Sequence, residues 1–261
     1  METNPQQSEE VLNAKHQKAQ WRIALKFSII LLILIVLIIP IALVRNLIFE
    51  RADRNNEVIN SVSSKWGQEQ ILTGPYLEIP ISVIDPQTKK PINRTLFIMS
   101  SQVDITGQIT PQLKERSLYK VMLYESNLQL TGNFKNINWD KIGIDPQTIN
   151  WHKAKLYLGI TDTRGLSGNA TIQWSKNAVQ NFEYGIADAS LVQNGIYIPL
   201  NSSTQLDQDF QIKLQLKGSK GLHFSPTSNN TTVLLNSNYP HPSFNGNALP
   251  DISNISKNGF E

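Results

Sequence analysis

An unbroken apolar run, Phe27 to Val44 (FSIILLILIVLIIPIALV), flanked by Lys26 and Arg45, limits what this chain can become more than any other stretch. No charge lies inside it, and Ser28 is its only polar side chain. In lipid a segment must satisfy its own backbone hydrogen bonds, which a helix does. A hydrocarbon core of about 30 Å takes roughly 20 helical residues, and Ile23, Ala24 and Leu25 bring the run to that length. Lys26 can return its ammonium to the headgroups, and Trp21 stands where an interfacial aromatic belongs. A buried core helix would be shorter and interrupted by polar positions. A cleaved signal peptide would be shorter and would end in small residues. This run ends in Ile41, Leu43 and Val44 and leads straight into Arg45, which reads as an uncleaved anchor over residues 23–44.

Charge divides almost evenly around the anchor. Lys15, Lys18, Arg22 and Lys26 precede it, and Arg45, Arg51, Arg54 and Lys65 follow. Long domains cross largely regardless of charge, so the expected topology has residues 1–22 as a cytoplasmic tail and the large domain outside. Residues 1–14 are polar and read as a disordered or loosely helical tail. Beyond the anchor, Ile48, Ala52, Asn55, Ile59, Val62 and Trp66 mark one helical face, with Gly67 as its stop. Residues 45–67 are thus expected as a juxtamembrane helix. It serves either as a stalk or as a helix docked on its own domain.

From Ile71 the period changes from helical to two. Leu77, Ile79, Ile81 and Val83 alternate with polar positions, as do Val103, Ile105, Gly107 and Ile109. Residues 119–123 and 128–134 read as a hairpin around Glu125-Ser126-Asn127. A short helix is allowed over 137–144, stopped by Asp145-Pro146. Strands follow at 154–161, 170–174, 196–200, 210–216 and 231–235, and Gly218-Ser219-Lys220-Gly221 reads as a hairpin turn. Such short, turn-punctuated strands predict a mainly β protein: an antiparallel β-sandwich-like domain over 68–236, then an irregular segment, 237–261.

The net charge of +3 comes from scattered basic residues, which argues against a nucleic-acid partner. The absence of cysteine removes disulfides, thiol nucleophiles and cysteine metal sites, and it fits any compartment. None of His16, His152, His223 and His241 has a second ligand at metal-binding spacing, so neither a metal nor a cofactor is expected. No nucleophile elbow or phosphate loop is present, and no catalytic residue is assigned. Three residues remain as binding candidates. Asp162 and Arg164, in Asp162-Thr163-Arg164-Gly165, could hold a polar ligand or pin a turn. His241, between Pro240 and Pro242, could be a ligand or a packing residue.

Several stretches in order carry a resemblance. They are Leu37-Ile38-Ile39-Pro40-Ile41, Glu50-Arg51-Ala52-Asp53, Leu72-Thr73-Gly74-Pro75 with Ile79-Pro80-Ile81, and Asp162-Thr163-Arg164-Gly165. Asn238-Tyr239-Pro240-His241-Pro242-Ser243-Phe244, Leu249-Pro250 and Asn258-Gly259-Phe260 complete the set. Together they resemble the N-terminal part of the CreD family of bacterial inner-membrane, cell-envelope integrity proteins. The resemblance implies a periplasmic domain after the first span, control by a two-component system, and a non-enzymatic part in envelope integrity and stress tolerance. Family members continue into a C-terminal transmembrane bundle, whereas this sequence stops at Glu261, so a truncated or split copy, or an incomplete sequence, is expected. The expected partners are the lipid bilayer and other envelope proteins or a separate C-terminal membrane part. Two rival readings are a membrane-anchored binding module for lipid, glycan or peptidoglycan fragments, with a pocket lined by Trp139, Trp151 or Trp174, and an envelope hydrolase.

Overall fold

The computed structural model describes residues 5–85, 87–135, 137–145, 148–185, 191–200, 206, 208–246, 249 and 252–261, with the side chains of residues 5–20 and of Ala24 left aside. The expected turn residues Pro86 and Pro146 lie outside the described residues. The chain forms two compact units, residues 1–57 and 58–261.

The first unit is helical. Helix α1 runs Pro5–Trp66, so the helical of the two alternatives for residues 1–14 holds from Pro5 onward. Its stretch from Trp21 is long and apolar enough to cross a membrane. From Phe27 to Val44 the large hydrophobic side chains are each about half exposed or more. Glu50 and Arg54 pair one turn apart on its surface at 2.8 Å.

The second unit begins with the last turns of α1. Ile59, Val62 and Trp66 are half-buried there, so this end of the amphipathic face docks on the protein's own β-domain. Gly67 ends the helix: its N–H bonds to the Ser63 carbonyl, and its φ of +154° lies where side chains are disfavoured.

The strands are β1 (Gln70–Ile84), β2 (Pro91–Met99), β3 (Gln102–Arg116) and β4 (Tyr119–Asn133), then β5 (Lys155–Ile160), β6 (Thr171–Trp174), β7 (Gln180–Asn181) and β8 (Glu183–Gly185). After them come β9 (Gly195–Pro199), β10 (Asp209–Ser219), β11 (Leu222–Ser225), β12 (Asn230–Ser237), β13 (Ile255–Ser256) and β14 (Gly259–Phe260). They form a six-stranded sheet, β11-β1-β5-β9-β8 with β2 also on β1, and an eight-stranded sheet, β13-β14-β12-β3-β4-β10-β6-β7. One apolar cluster takes Leu77, Ile79, Leu156, Leu158 and Ile196 from the first sheet and Ile105, Leu130, Ile172, Phe210 and Ile212 from the second. The two sheets therefore face each other across a common core, as a sandwich does. Pairing is antiparallel except for β1 with β11 and β12 with β3, which run parallel.

Three local expectations are corrected. Glu125-Ser126-Asn127 is not a turn: β4 passes straight through it, paired with β3 on one side and β10 on the other. The reversal lies at Ser117-Leu118, where Ser117 has φ 57°. The buried positions of β4 shift from odd (Val121, Leu123) to even (Tyr124, Leu128, Leu130), because both faces are covered where the shift occurs. In sequence that change of phase imitates a strand break. The short helix is α2 (Trp139–Ile142), capped by the Asn138 side chain and closed at Gly143 in the left-handed conformation, before Asp145 is reached. Gly218-Ser219-Lys220-Gly221 is not a hairpin: Gly218 and Ser219 end β10, and Lys220-Gly221 carries the chain from β10 in one sheet to β11 in the other. Two short strands, β13 and β14, also lie in the segment expected to be irregular, and β14 pairs with β12 at Ser237.

Candidate functional site

The densest polar cluster of the second unit lies where the helix ends and the two sheets meet. β1 begins three residues past Gly67, and its first residue, Gln70, is fully buried. The Gln70 Nε2 donates to the carbonyls of Asp162 (3.0 Å) and Lys217 (3.2 Å), while its Oε1 accepts from the Asp162 N–H at 3.4 Å. Gln70 thus ties the ends of β5 and β10 to the start of β1. A Cβ on Gly165 would lie 2.3 Å from both Gln70 Nε2 and the Lys217 carbonyl, so only glycine lets the backbone come this close.

Asp162 is 8 % exposed, and both its oxygens are taken. Oδ1 accepts from the Arg164 N–H (3.1 Å) and Nε (2.8 Å), and Oδ2 from the Gln68 N–H and Arg164 Nη2, both at 3.0 Å. The Arg164 Nη1 also donates to the Ser64 carbonyl in the last turn of α1, at 3.3 Å. Arginine's planar fork suits this two-toothed grip on one carboxylate. Burial pushes the Asp162 pKa up, but the hydrogen bonds from Arg164 and the Gln68 N–H outweigh it and hold the carboxyl below its ordinary value.

The sign of the pH effect follows from that lowered value. Stability from Asp162 is present above the unfolded carboxylate range, about pH 3.9, and is lost as pH falls through the lower folded value. Asp162→Ala leaves the Gln68 and Arg164 N–H groups without their acceptor. With Arg164 60 % exposed and able to rehydrate, the expected loss is about 2–3 kcal/mol. Urea titrations of the two proteins at neutral pH and at about pH 3 check this: the gap between their midpoints narrows in acid. An equal gap at both pH values would contradict it.

Trp66 completes the junction. Its Nε1 donates to the Tyr124 carbonyl at 3.3 Å, and its ring lies 5.6 Å from Lys114 Nζ and 4.7 Å from Lys217 Nζ. Both lysines sit over the negative face of the indole, and Lys217 also approaches Glu125 at 3.5 Å. Beside it, the buried Tyr124 hydroxyl donates to the Gly221 carbonyl at 2.8 Å, and Glu69 meets His223 at 2.8 Å. Burial pushes the Tyr124 hydroxyl pKa well up, so it remains a donor. Gln70 was not legible as a member of this cluster, because a lone Gln at a strand start has no distinguishing spacing.

His241 stands apart, edge-on to Tyr239 with ring centroids 6.4 Å apart. Among the described residues no hydrogen bond or ion pair joins it to Asp162 or Arg164. The described residues also hold no cluster of three or more metal-ligating side chains. The three tryptophans named as pocket candidates are spread through the fold. Trp174 is buried in the core, and Trp139 packs edge-on to Trp151 at 6.1 Å against that core.

The eight-stranded sheet does carry an open concavity of about 700 Å³ on its outer face. Its lining includes Asn236, Gln108, Asn127 and Gln215, which stand side by side in register across β12, β3, β4 and β10. Gln129, Lys213 and Asn169 border the same space.

Structure and site together define a β-sandwich protein with a long apolar N-terminal helix, in which the most elaborate polar cluster of the second unit is a structural joint. The sequence matches the family of the inner membrane protein CreD over residues 22–261, and the chain belongs to that family. It is 26 % identical over 251 residues to inner membrane protein CreD of Escherichia coli (strain K12), an alignment that covers 92 % of this chain and 54 % of that protein. The chain therefore spans about half the length of that relative. No solved structure matches it.

Proposed function

We propose that this chain is a non-enzymatic inner-membrane protein that supports envelope integrity and tolerance of envelope stress through a β-domain held in the periplasm. The observation that carries the reading is how the polar groups are used. The Asp162 carboxylate, the most enclosed charge of the junction, has both oxygens engaged by the protein's own donors. A hydrolase needs a nucleophile or base within reach of a substrate, and this carboxylate is spent on holding β5 to the end of α1. The apolar helix supplies the anchor, and membership of an inner-membrane family supports the choice of membrane.

Complementation tests this. A cell lacking the protein is expected to be sensitized to envelope-perturbing detergent, and the wild-type chain and His241→Ala are expected to restore resistance equally. Loss of rescue by a normally folded His241→Ala would point to chemistry at that side chain instead.

A second reading is favoured by the row of four amides on the outer sheet face. Side-chain amides offer paired donors and acceptors without charge, which suits a neutral, hydroxyl-rich ligand such as a glycan strand. Binding of glycan strands that weakens in Asn127→Ala would support this reading, and no binding by the wild-type chain would remove it.

A further inference from the structure

One hairpin leaves the sandwich. β4 pairs with β10 only from Leu123 onward, and β3 pairs with β12 only as far as Ile109. Residues 110–122 continue as a two-stranded ribbon, paired up to Arg116 opposite Tyr119. A ribbon of two strands is marginal in water unless something packs on it. The last turns of α1 support one face. Val121 and Leu123 are buried on it, Lys114 lies over the Trp66 ring, and the Arg116 Nη1 donates to the Ser61 hydroxyl at 2.7 Å. Side chains alternate between faces along a strand, so Leu113 and Met122 stand opposite each other on the other face, and both are exposed. Glu115 and Lys120 follow on that face, and Leu118 at the tip is 81 % exposed.

The ribbon also has a direction. Lys114 meets Trp66 and Arg116 meets Ser61, so β3 steps backward along α1 as it nears its tip. Ser117 and Leu118 come next, at the end of the second unit where the chain enters at Val58. Residues 45–57 join that entry point to the apolar run, about 20 Å of helix. The tip is cationic. Lys114, Arg116 and Lys120 stand against Glu115 alone, which Lys120 approaches at 3.5 Å with both side chains exposed. Such a pair is weak and leaves each group able to meet other charges. Single exposed apolar residues are ordinary. A leucine held out at a turn between cations, on a chain with a membrane-length helix, has the composition of a segment that enters a lipid headgroup layer.

We propose that the β3–β4 tip is a second membrane contact, in which Leu118 enters the headgroup layer of the bilayer that holds α1, and Arg116 and Lys120 meet anionic lipid phosphates. This contact rests on the membrane anchoring proposed above and gives the β-domain a second point of attachment. A helix alone leaves the domain able to swing about one connection; two points limit that motion.

The test uses the full chain in lipid nanodiscs of phosphatidylcholine and phosphatidylglycerol. A polarity-sensitive fluorophore is attached at Leu118→Cys, where its apolar ring stands in for the leucine; the sequence has no cysteine of its own. The reference is the same label at Lys176→Cys, exposed beside the start of β10 at the far end of the sheet. At position 118 the emission is expected to shift to the blue, and quenching by acrylamide to fall severalfold below its value at position 176. In discs of phosphatidylcholine alone, or with Lys120→Glu added, quenching at 118 returns toward the value at 176, because attraction to an anionic surface is lost. The comparison of the two lipids decides the matter even if Lys120→Glu disturbs the ribbon. Three results would overturn the tip contact: position 118 quenched as readily as 176 in the anionic discs, protection unchanged in phosphatidylcholine, or protection in detergent that rises with protein concentration, which marks a second copy as the occupant. A chain that fails to enter the discs at all would remove the anchor itself, and the tip contact with it.

Discussion

Replacing both central residues of the apolar run, Ile35→Lys with Val36→Lys, is expected to move the protein out of the membrane fraction. Fifteen Leu, Ile, Val and Phe residues lie between Phe27 and Val44. At about −0.3 to −0.6 kcal/mol each, they favour insertion by roughly 5–9 kcal/mol. Each central lysine costs about 2.5–3.5 kcal/mol, so two bring the balance close to zero. One lysine leaves a margin, and the single variants stay inserted. The readout is the share of chain released by alkaline carbonate, which is small for the wild type and for each single variant and large for the double variant. A wild-type chain released by the same wash would remove the anchor from the account.

The second large effect is in the core. Phe210→Ala is expected to destabilise the β-domain by about 3–5 kcal/mol, the usual range for emptying a buried aromatic site. Phe210 is 2 % exposed and lies between two other buried rings, with centroids 5.6 Å from Phe134 and 5.9 Å from Trp174. Neither neighbour can collapse into the gap easily. Trp174 is held on β6, opposite Phe210 itself, and Phe134 follows directly on the end of β4. A denaturant titration reads the loss as a lower midpoint at unchanged slope. A loss under about 1 kcal/mol would mean that the ring is not at the centre of the packing.

Much of this architecture can be read from the side chains. The span needs only a count of apolar residues. Strict alternation along Phe210, Ile212, Leu214 and Leu216 gives β10 and its buried face, and the same logic finds β1 from Leu77 to Val83 and β3 from Val103 to Ile109. What alternation cannot show is the partner. A strand looks the same in a parallel or an antiparallel pair, so the parallel pairing of β12 with β3, from more than a hundred residues away, left no mark. Nor can it show a face change within one strand, which is why β4 reads as two. Very short strands such as β7 and β13 hold too few residues to display any period.

The candidate residues were legible only in part. Asp162 and Arg164 are close enough in sequence to suggest a pair, and the structure pairs them. Their shared purpose depends on Gln68, Gln70 and Ser64, which lie about a hundred residues away. No local spacing encodes such a contact. Trp66 shows the same limit: it belongs to a helical face, yet its place near Lys114 and Lys217 depends on β3 and β10, which flank β4 only in the folded sheet.

The claim that most of this account rests on is the side of the membrane that holds the β-domain, and one labelling experiment reads it directly. The chain has no cysteine, so a single introduced thiol reports one position. In spheroplasts with an intact inner membrane, Lys176→Cys is predicted to react with a membrane-impermeant maleimide, whereas Ser8→Cys reacts only after lysis. Labelling of Ser8→Cys in intact spheroplasts, with Lys176→Cys protected until lysis, would contradict the account.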